Sequence, residues 1–363
     1  MVTSRTAGAL LAIGAIFGYL EYTRGPRGVI QEIDSYLGWY MMPNQDHHDR
    51  SGTIAEHINS FGFRGNEWTL QKREGVTRIA VLGSSMTYGS SVEFDKIYTS
   101  LLEKLLNERG LNVEVLNCAV QGYKFEQDVR NYEKKVSNVK PDILIQAFAD
   151  QDVQEMDPPG TVPKADLRPW ITRTDFYYKF QYVWQPWVRR LAPESPIPKW
   201  AVNNKSMVIN EKLQSQPFAP ELMPLWEKAV SRMNDLNEMV RRDGGQLMIT
   251  VLPQPPQTMN TQFVGPEFIW KRFVHKQTNC TYLDVVTSLQ KHIEPFRQRF
   301  VRSKDGREQW ILQTNMRDKD PNYAIQPDPN HVYHGDVGGH FNETGMLVIA
   351  TALADQLEKV IRK

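Results

Sequence analysis

The sequence predicts an α/β domain built on a parallel, doubly wound sheet. Runs of apolar residues have the length of buried parallel strands. These runs are residues 78–83, 113–118, 142–148, 246–253 and 281–286. Stretches with helical spacing of apolar side chains separate them along the chain. Alternating strands and helices are typical of a sheet that carries helices on both faces.

Each predicted helix has its own sequence signals. The helical segments are residues 95–109, 125–136, 221–242 and 344–362. In the first, leucines between residues 101 and 106 face inward, and Gly110 is the stop signal. The third is long and amphipathic, and it ends before Gly244 and Gly245.

Composition limits the class of protein. The 363 residues include 43 basic and 42 acidic side chains, for a net charge of +1, and no basic run stands out. We therefore expect no nucleic-acid partner. The two cysteines, Cys118 and Cys280, exclude a disulfide framework. We expect two unpaired thiols rather than one bridge.

The N-terminus carries an uncharged apolar run over residues 7–20. As a helix it would span about 21 Å, short of the roughly 30 Å hydrocarbon core. Extension to residues 3–22 makes a span possible if Arg5 and Glu21 lie near the interfaces. Because no small-x-small cleavage site follows, we predict a single membrane anchor over residues 1–24. A cleaved signal peptide and a buried or interfacial helix are the alternatives, and basic residues at both ends leave the orientation open.

Two segments depart from the alternation of strands and helices. Residues 25–77 are predicted to form an irregular lead-in to the main domain, residues 78–363. Residues 154–215 are predicted to be an insertion rich in aromatic side chains, with Arg189 and Arg190 nearby. The insertion could be a cap on the sheet, a membrane-interface belt or a protein-docking surface, where aromatic residues and arginine are favoured.

A serine stands where the first predicted strand ends. The run Gly83-Ser84-Ser85 follows the strand directly, and Gly89 closes the turn. Ligands bind at the carboxyl edge of an open α/β sheet, and a nucleophile needs the same exposure. Ser85 is therefore a candidate nucleophile, although a turn serine with no catalytic role would give the same local pattern.

Four short motifs follow the predicted elements in order. They are residues 83–85 (GSS), 117–123 (NCAVQGY), 150–152 (DQD) and 338–342 (GGHFN). Together they resemble the four blocks of the SGNH/GDSL hydrolase family, in its bacterial membrane-anchored branch. Residues 59–65 (NSFGFRG) resemble the lead-in of that branch. The resemblance covers about residues 37–153 and 222–360, and it implies a three-layer, flavodoxin-like fold.

The resemblance also implies a site for acyl transfer. Ser85 would attack an ester carbonyl, and His340 would act as general base. Asp336 is the nearest candidate for the acid that orients the histidine. The oxyanion donors would be the N–H groups of Ser85 and Ala119 and the side-chain amide of Gln151. No cofactor is expected.

Several supporting positions differ from the family pattern. Ser84 replaces an aspartate, Ala119 a glycine and Gln151 an asparagine, whereas the positions two and three before His340 hold Gly338 and Val337 instead of an acid. Loss of one oxyanion donor costs about 3–4 kcal/mol of transition-state stabilisation. These changes predict a degenerate catalytic site.

Two hypotheses on function follow from the sequence. In the first, the domain is an accessory or structural subunit of a membrane protein complex, bound through the anchor and the aromatic insertion. In the second, it is an active serine esterase or O-acyltransferase that acts on acylated glycans or lipids. Both place the protein in a membrane as a single-pass chain, with the soluble domain outside the cytoplasm, in the periplasm.

Two histidine groups have the residue types of metal ligands. His331 and His334 precede Asp336 in a loop rich in proline and glycine, and residues 46–49 (DHHD) lie in the lead-in. The loop spacing fixes no ligand geometry, and we expect the second group to be a solvated polar loop. No metal site is predicted.

Overall fold

The computed structural model describes residues 28–29, 31–49, 53–154, 213, 217–259, 265–294, 301–304, 307–310, 332–333 and 339–362. The predicted anchor over residues 1–24 lies outside these ranges, and so does the aromatic insertion apart from its ends at Gln154 and Leu213. Within the ranges described, no helix is both long enough and apolar enough to span a membrane.

The lead-in contains two small antiparallel sheets. Strand β1 (Gln31–Asp34) pairs with β2 (Gly38–Met41), and β3 (Gln45–His48) pairs with β4 (Ala55–Ile58). The expectation of a solvated loop at residues 46–49 is wrong, because His47 and Asp49 are buried. In this hairpin His47 lies opposite Glu56, and His47 Nε2 and Glu56 Oε2 are paired at 2.8 Å.

The central sheet has five parallel strands. They are β5 (Thr77–Leu82), β6 (Val113–Asn117), β7 (Ile143–Phe148), β8 (Gln246–Val251) and β9 (Cys280–Leu283), in the spatial order β6-β5-β7-β8-β9. All five coincide with the predicted strands. The chain runs from β5 to β6 on one side and then crosses to β7 on the other. This reversal is the switch point at which doubly wound sheets bind ligands.

Helices cover both faces of the sheet. They are α1 (Ser85–Tyr88), α2 (Tyr98–Glu108), α3 (Phe125–Lys134), α4 (Met223–Arg242), α5 (Pro255–Met259), α6 (Glu267–Val274), α7 (Val286–Ile293) and α8 (Glu343–Ile361). The four predicted helices correspond to α2, α3, α4 and α8. A hairpin of β10 (Val301–Lys304) and β11 (Arg307–Trp310) lies outside the sheet.

Two apolar cores lie on opposite faces of the sheet. Helices α2, α7 and α8 bury Leu102, Leu289 and Leu353 against one face. Helices α3, α4 and α6 cover the other, with a buried aromatic cluster around Trp226 and Trp270. The prediction of a three-layer, flavodoxin-like arrangement is therefore confirmed for the central domain. Cys118 and Cys280 are free thiols, as expected.

Candidate active site

The candidate nucleophile sits on a one-turn helix directly after β5. A Cβ atom at Gly83 would lie 2.5 Å from Thr87 Oγ1 and 3.0 Å from the carbonyl oxygen of Ala147. Only glycine therefore allows the chain to turn this tightly into α1. Gly89 ends the helix in the left-handed conformation, at φ 81°. Ser85 is left half-buried at the carboxyl edge of the sheet.

Ser85 and His340 form a hydrogen-bonded pair. The distance between Ser85 Oγ and His340 Nε2 is 2.7 Å, although the residues are 255 positions apart in the chain. Both side chains are half-buried. Because Nε2 is within hydrogen-bonding distance of the hydroxyl, it can accept the proton of Ser85 when the oxygen attacks an electrophile. The predicted approach of these two residues is thus observed.

The segment that carries His340 is fixed by its neighbours. Phe341 forms an antiparallel bridge with Tyr333, and their rings stack with centroids 4.8 Å apart. The Asn342 N–H donates to the Val332 carbonyl at 3.0 Å. Asn342 Oδ1 in turn accepts from the Gly345 N–H at 2.9 Å and caps helix α8. The start of α8 therefore sets the position of the histidine.

The second block links the nucleophile turn to the candidate oxyanion donors. Asn117, the last residue of β6, donates from Nδ2 to the Thr87 carbonyl at 3.0 Å. Its Oδ1 accepts from the Ala119 N–H at 3.2 Å. The Val120 N–H donates to the Gly83 carbonyl at 3.1 Å. The second block therefore lies against α1 as expected, but Asn117 already occupies the N–H of Ala119.

The third block forms a 3-10 turn, Asp150–Val153, at the end of β7. The Gln151 carbonyl accepts from Lys124 Nζ at 3.2 Å, and the Gln151 side chain is half-buried. Asp152 accepts from the Ala149 N–H at 2.8 Å, and the Ser84 hydroxyl acts to lower the pKa of the Asp152 carboxyl. Ser84 of the first block therefore influences a carboxyl of the third block, a proximity that the sequence did not reveal.

Two buried carboxyl groups of this turn have raised pKa values. Burial raises the pKa of Asp152 to about 7, against the opposing effects of the Ala149 N–H, the Lys124 charge and the Ser84 hydroxyl. Burial likewise raises the pKa of Asp150 to about 8, and the charges of Glu267 and Asp152 add to this. The edge of the sheet beside Ser85 therefore holds acids that titrate near neutral pH.

We expect Asp150→Asn to flatten the pH dependence of stability. In an unfolded chain aspartate titrates near 3.8, so between about pH 4 and 8 the folded protein binds more protons than the unfolded one. The contribution of Asp150 to the free energy of unfolding therefore falls as pH rises through this range. Asparagine does not titrate, but its side-chain oxygen can still accept a hydrogen bond from Gln257 Nε2. In the wild type this nitrogen lies 2.7 Å from Asp150 Oδ2.

Urea midpoints at pH 5 and pH 8.5 measure this effect. The midpoint of the wild type should decrease between the two values, and that of Asp150→Asn should decrease less. Asp95→Asn, at an exposed position, is the control and should keep the wild-type slope. Equal slopes for wild type and Asp150→Asn would contradict the prediction.

The remaining predicted positions are not all placed. Asp336, His331 and His334 lie outside the described residues, so the role of Asp336 stays a prediction. In the part of the chain that is described, no group of three or more histidine, cysteine, aspartate or glutamate side chains could hold a metal ion. The structure therefore brings together Ser85, His340 and the Ala119 segment, with Gln151 on the adjoining turn.

Comparisons with known proteins find similar solved structures at low sequence identity. No protein-family model and no curated protein matches the chain. Similar solved structures include TesA, at 11% identity and a TM-score of 0.37 over 78% of this chain and 99% of that one. A catalytic mutant of the acetylxylan esterase Axe2 from Geobacillus stearothermophilus has 11% identity and a TM-score of 0.41, over 77% and 94%.

A protein assigned to the G-D-S-L family from Desulfitobacterium hafniense DCB-2 is similar at 10% identity and a TM-score of 0.37, over 77% of this chain and 98% of that one. The chain resembles SGNH/GDSL hydrolases. At these identities and TM-scores the similarity carries no argument about the site, whose chemistry has to be argued from the residues of this chain.

Proposed function

We propose that this protein is a serine esterase or O-acyltransferase of the SGNH/GDSL type, with Ser85 as nucleophile and His340 as general base. The observation that carries the proposal is the 2.7 Å hydrogen bond between Ser85 Oγ and His340 Nε2. The changed supporting positions favour a degenerate site. The contact between nucleophile and base supports the active alternative instead.

The reaction would proceed through an acyl-enzyme. Ser85 Oγ attacks the carbonyl carbon of an ester while His340 Nε2 takes the hydroxyl proton. The tetrahedral intermediate collapses, the ester C–O bond breaks, and His340 returns the proton to the leaving alcohol. Water or a second alcohol then attacks the acyl-enzyme, again with His340 as base, and Ser85 is released. Water gives hydrolysis, and the second alcohol gives acyl transfer.

The oxyanion donors are the less complete part of this site. The Ser85 N–H lies in the first turn of α1, where N–H groups have no partner within the helix. The Ala119 N–H would have to exchange Asn117 Oδ1 for the substrate oxygen. A site that must give up a hydrogen bond to bind the oxyanion is less preorganised, so we expect slow turnover.

Hydrolysis of short-chain aryl esters tests the proposal. The full-length protein in mild detergent should release the aryl alcohol, and a fluorophosphonate probe should label it at Ser85. Mass spectrometry of peptides locates the adduct. Absence of both turnover and adduct would contradict the proposal, and an adduct at another serine would contradict the assignment of the nucleophile.

An accessory, non-catalytic role remains the second candidate. The occupied N–H of Ala119 favours it, because one oxyanion donor is then lost, at about 10² to 10³ in rate. In this role the domain would be a structural subunit of a membrane complex, held by the proposed anchor over residues 1–24 and the aromatic insertion, on the outer side of the membrane.

Extraction from membranes tests this second candidate. After mild-detergent extraction, an accessory subunit should elute in size-exclusion chromatography with partner proteins. A chain that remains in the membrane fraction under high salt but elutes alone would support the anchor and oppose the complex. Recovery in the soluble fraction would contradict the anchor itself.

A further inference from the structure

A buried arginine of the lead-in contacts the end of the nucleophile helix. Arg64 Nη1 donates to the carbonyl oxygens of Gly89 at 2.6 Å and Tyr88 at 3.1 Å. Its Nη2 donates to the Val92 carbonyl at 2.7 Å. The residue is only 1% exposed. A single-turn helix has carbonyl groups without intrahelical partners, and here the planar guanidinium binds several of them at once.

The charge of Arg64 is held by a second residue of the lead-in. Glu56 Oε1 lies 3.4 Å from Arg64 Nη1, and both side chains are buried. Glu56 Oε2 accepts from the Tyr88 hydroxyl at 3.0 Å and lies 2.8 Å from His47 Nε2. The hairpin of β3 and β4 therefore fixes the carboxylate, and the carboxylate fixes the guanidinium.

The contact reaches Ser85 through one residue. The N–H groups of Gly89 and Ser90 both donate to the Ser85 carbonyl, at 3.1 and 3.2 Å. Arg64 binds the carbonyl of the same Gly89, so a shift of the guanidinium moves the turn that carries the nucleophile. A cation is also favourable at the C-terminal end of a helix. Small displacements of a reacting group are enough to lower a rate about 100-fold.

We propose that Arg64 and Glu56 form a positioning pair that sets the orientation of the Ser85 hydroxyl towards His340. The inference rests on the proposed function, because it needs Ser85 to react. It makes the lead-in part of the catalytic unit, although the lead-in contributes no group that touches the substrate.

The chain offers a matched control in Arg78. This arginine is also fully buried, donates to the carbonyl oxygens of Leu70 at 3.0 Å and Val139 at 2.7 Å, and pairs with Glu114. It lies at the amino end of β5, at the opposite edge of the sheet from Ser85. Replacing it by lysine disturbs a comparable buried network without touching the nucleophile turn.

The experiment compares Arg64→Lys with Arg78→Lys in the full-length protein. We expect Arg64→Lys to lower kcat for an aryl ester and the rate of fluorophosphonate labelling at Ser85 about 10- to 100-fold, with KM within about twofold of wild type. Arg78→Lys should keep both rates within about threefold. Thermal midpoints, measured for both variants, confirm that each is folded at the assay temperature.

Each outcome decides the inference. Wild-type rates in Arg64→Lys, or equal losses in both variants, would overturn it and leave the proposed function intact. A wild type that shows no labelling at Ser85 would overturn the proposed function, and the inference with it. If Arg64→Lys does not fold, Glu56→Gln provides the same test, with a smaller fall in labelling rate expected and an unchanged rate overturning the inference.

Discussion

Replacing Ser85 by alanine is expected to lower kcat for ester hydrolysis by about 10⁴-fold or more, and to abolish fluorophosphonate labelling. The Oγ atom is the only part of Ser85 that can form the acyl-enzyme, and alanine has no substitute for it. The hydrogen bond to His340 would be lost as well. His340→Gln should lower the rate to a similar extent, because the hydroxyl then has no base.

The double variant distinguishes a working pair from two independent effects. Because nucleophile and base act as a unit, the loss in Ser85→Ala/His340→Gln should be close to that of either single change. Ser90→Ala is the control. Ser90 is also half-buried, and its hydroxyl accepts a hydrogen bond from Gln121 Nε2 rather than contacting His340. Turnover retained in Ser85→Ala would favour the accessory role over the enzyme.

Replacing Gly345 by alanine is expected to destabilise the protein and to disturb His340. Gly345 lies in the first turn of α8, and a Cβ atom there would be 2.2 Å from the Val332 carbonyl oxygen and 2.9 Å from Phe341 Cδ1. Val332 must therefore move, although it accepts the Asn342 N–H that holds the histidine segment. Overpacking of this kind costs about 1–3 kcal/mol.

The direction of the stability change distinguishes a crowded site from an open one. In a helix without such a neighbour, glycine to alanine raises stability by about 0.5–1 kcal/mol. Urea unfolding therefore gives opposite answers for a crowded and an open site. We expect a lower free energy of unfolding and a fall in kcat of at least about tenfold. A more stable variant with wild-type kcat would show that Val332 does not confine His340.

The sequence predicted the sheet because each strand can be recognised from its own run of apolar residues. A buried parallel strand needs apolar residues on both faces, so β7 appears as an apolar run with one polar residue, Gln146, and all of its residues are buried. The strands of the lead-in escaped prediction for the opposite reason. They are four residues long, and β1 and β3 consist mostly of polar residues. In β3, His47 is buried opposite Glu56 of the next strand.

The proposed nucleophile and base could also be predicted from the sequence. Ser85 follows a strand that ends in glycine, and His340 precedes the last helix, so the fold class and the motif order together place both at one edge of the sheet. The supporting contacts could not be. Ser84 replaces an acid of the family pattern, but its hydroxyl lowers the pKa of Asp152, which comes from a different strand end.

The sequence by itself therefore determined the fold class, the positions of the five sheet strands along the chain, and the residues that can act as nucleophile and base. Tertiary structure alone decided that Ser85 and His340 are 2.7 Å apart, that Asn117 occupies the Ala119 N–H, and that Arg64 holds the turn beyond Ser85. The reason is physical. Strand and helix patterns depend on neighbours within a few residues, whereas these hydrogen bonds join groups that are brought together only when the sheet and its two helix layers pack.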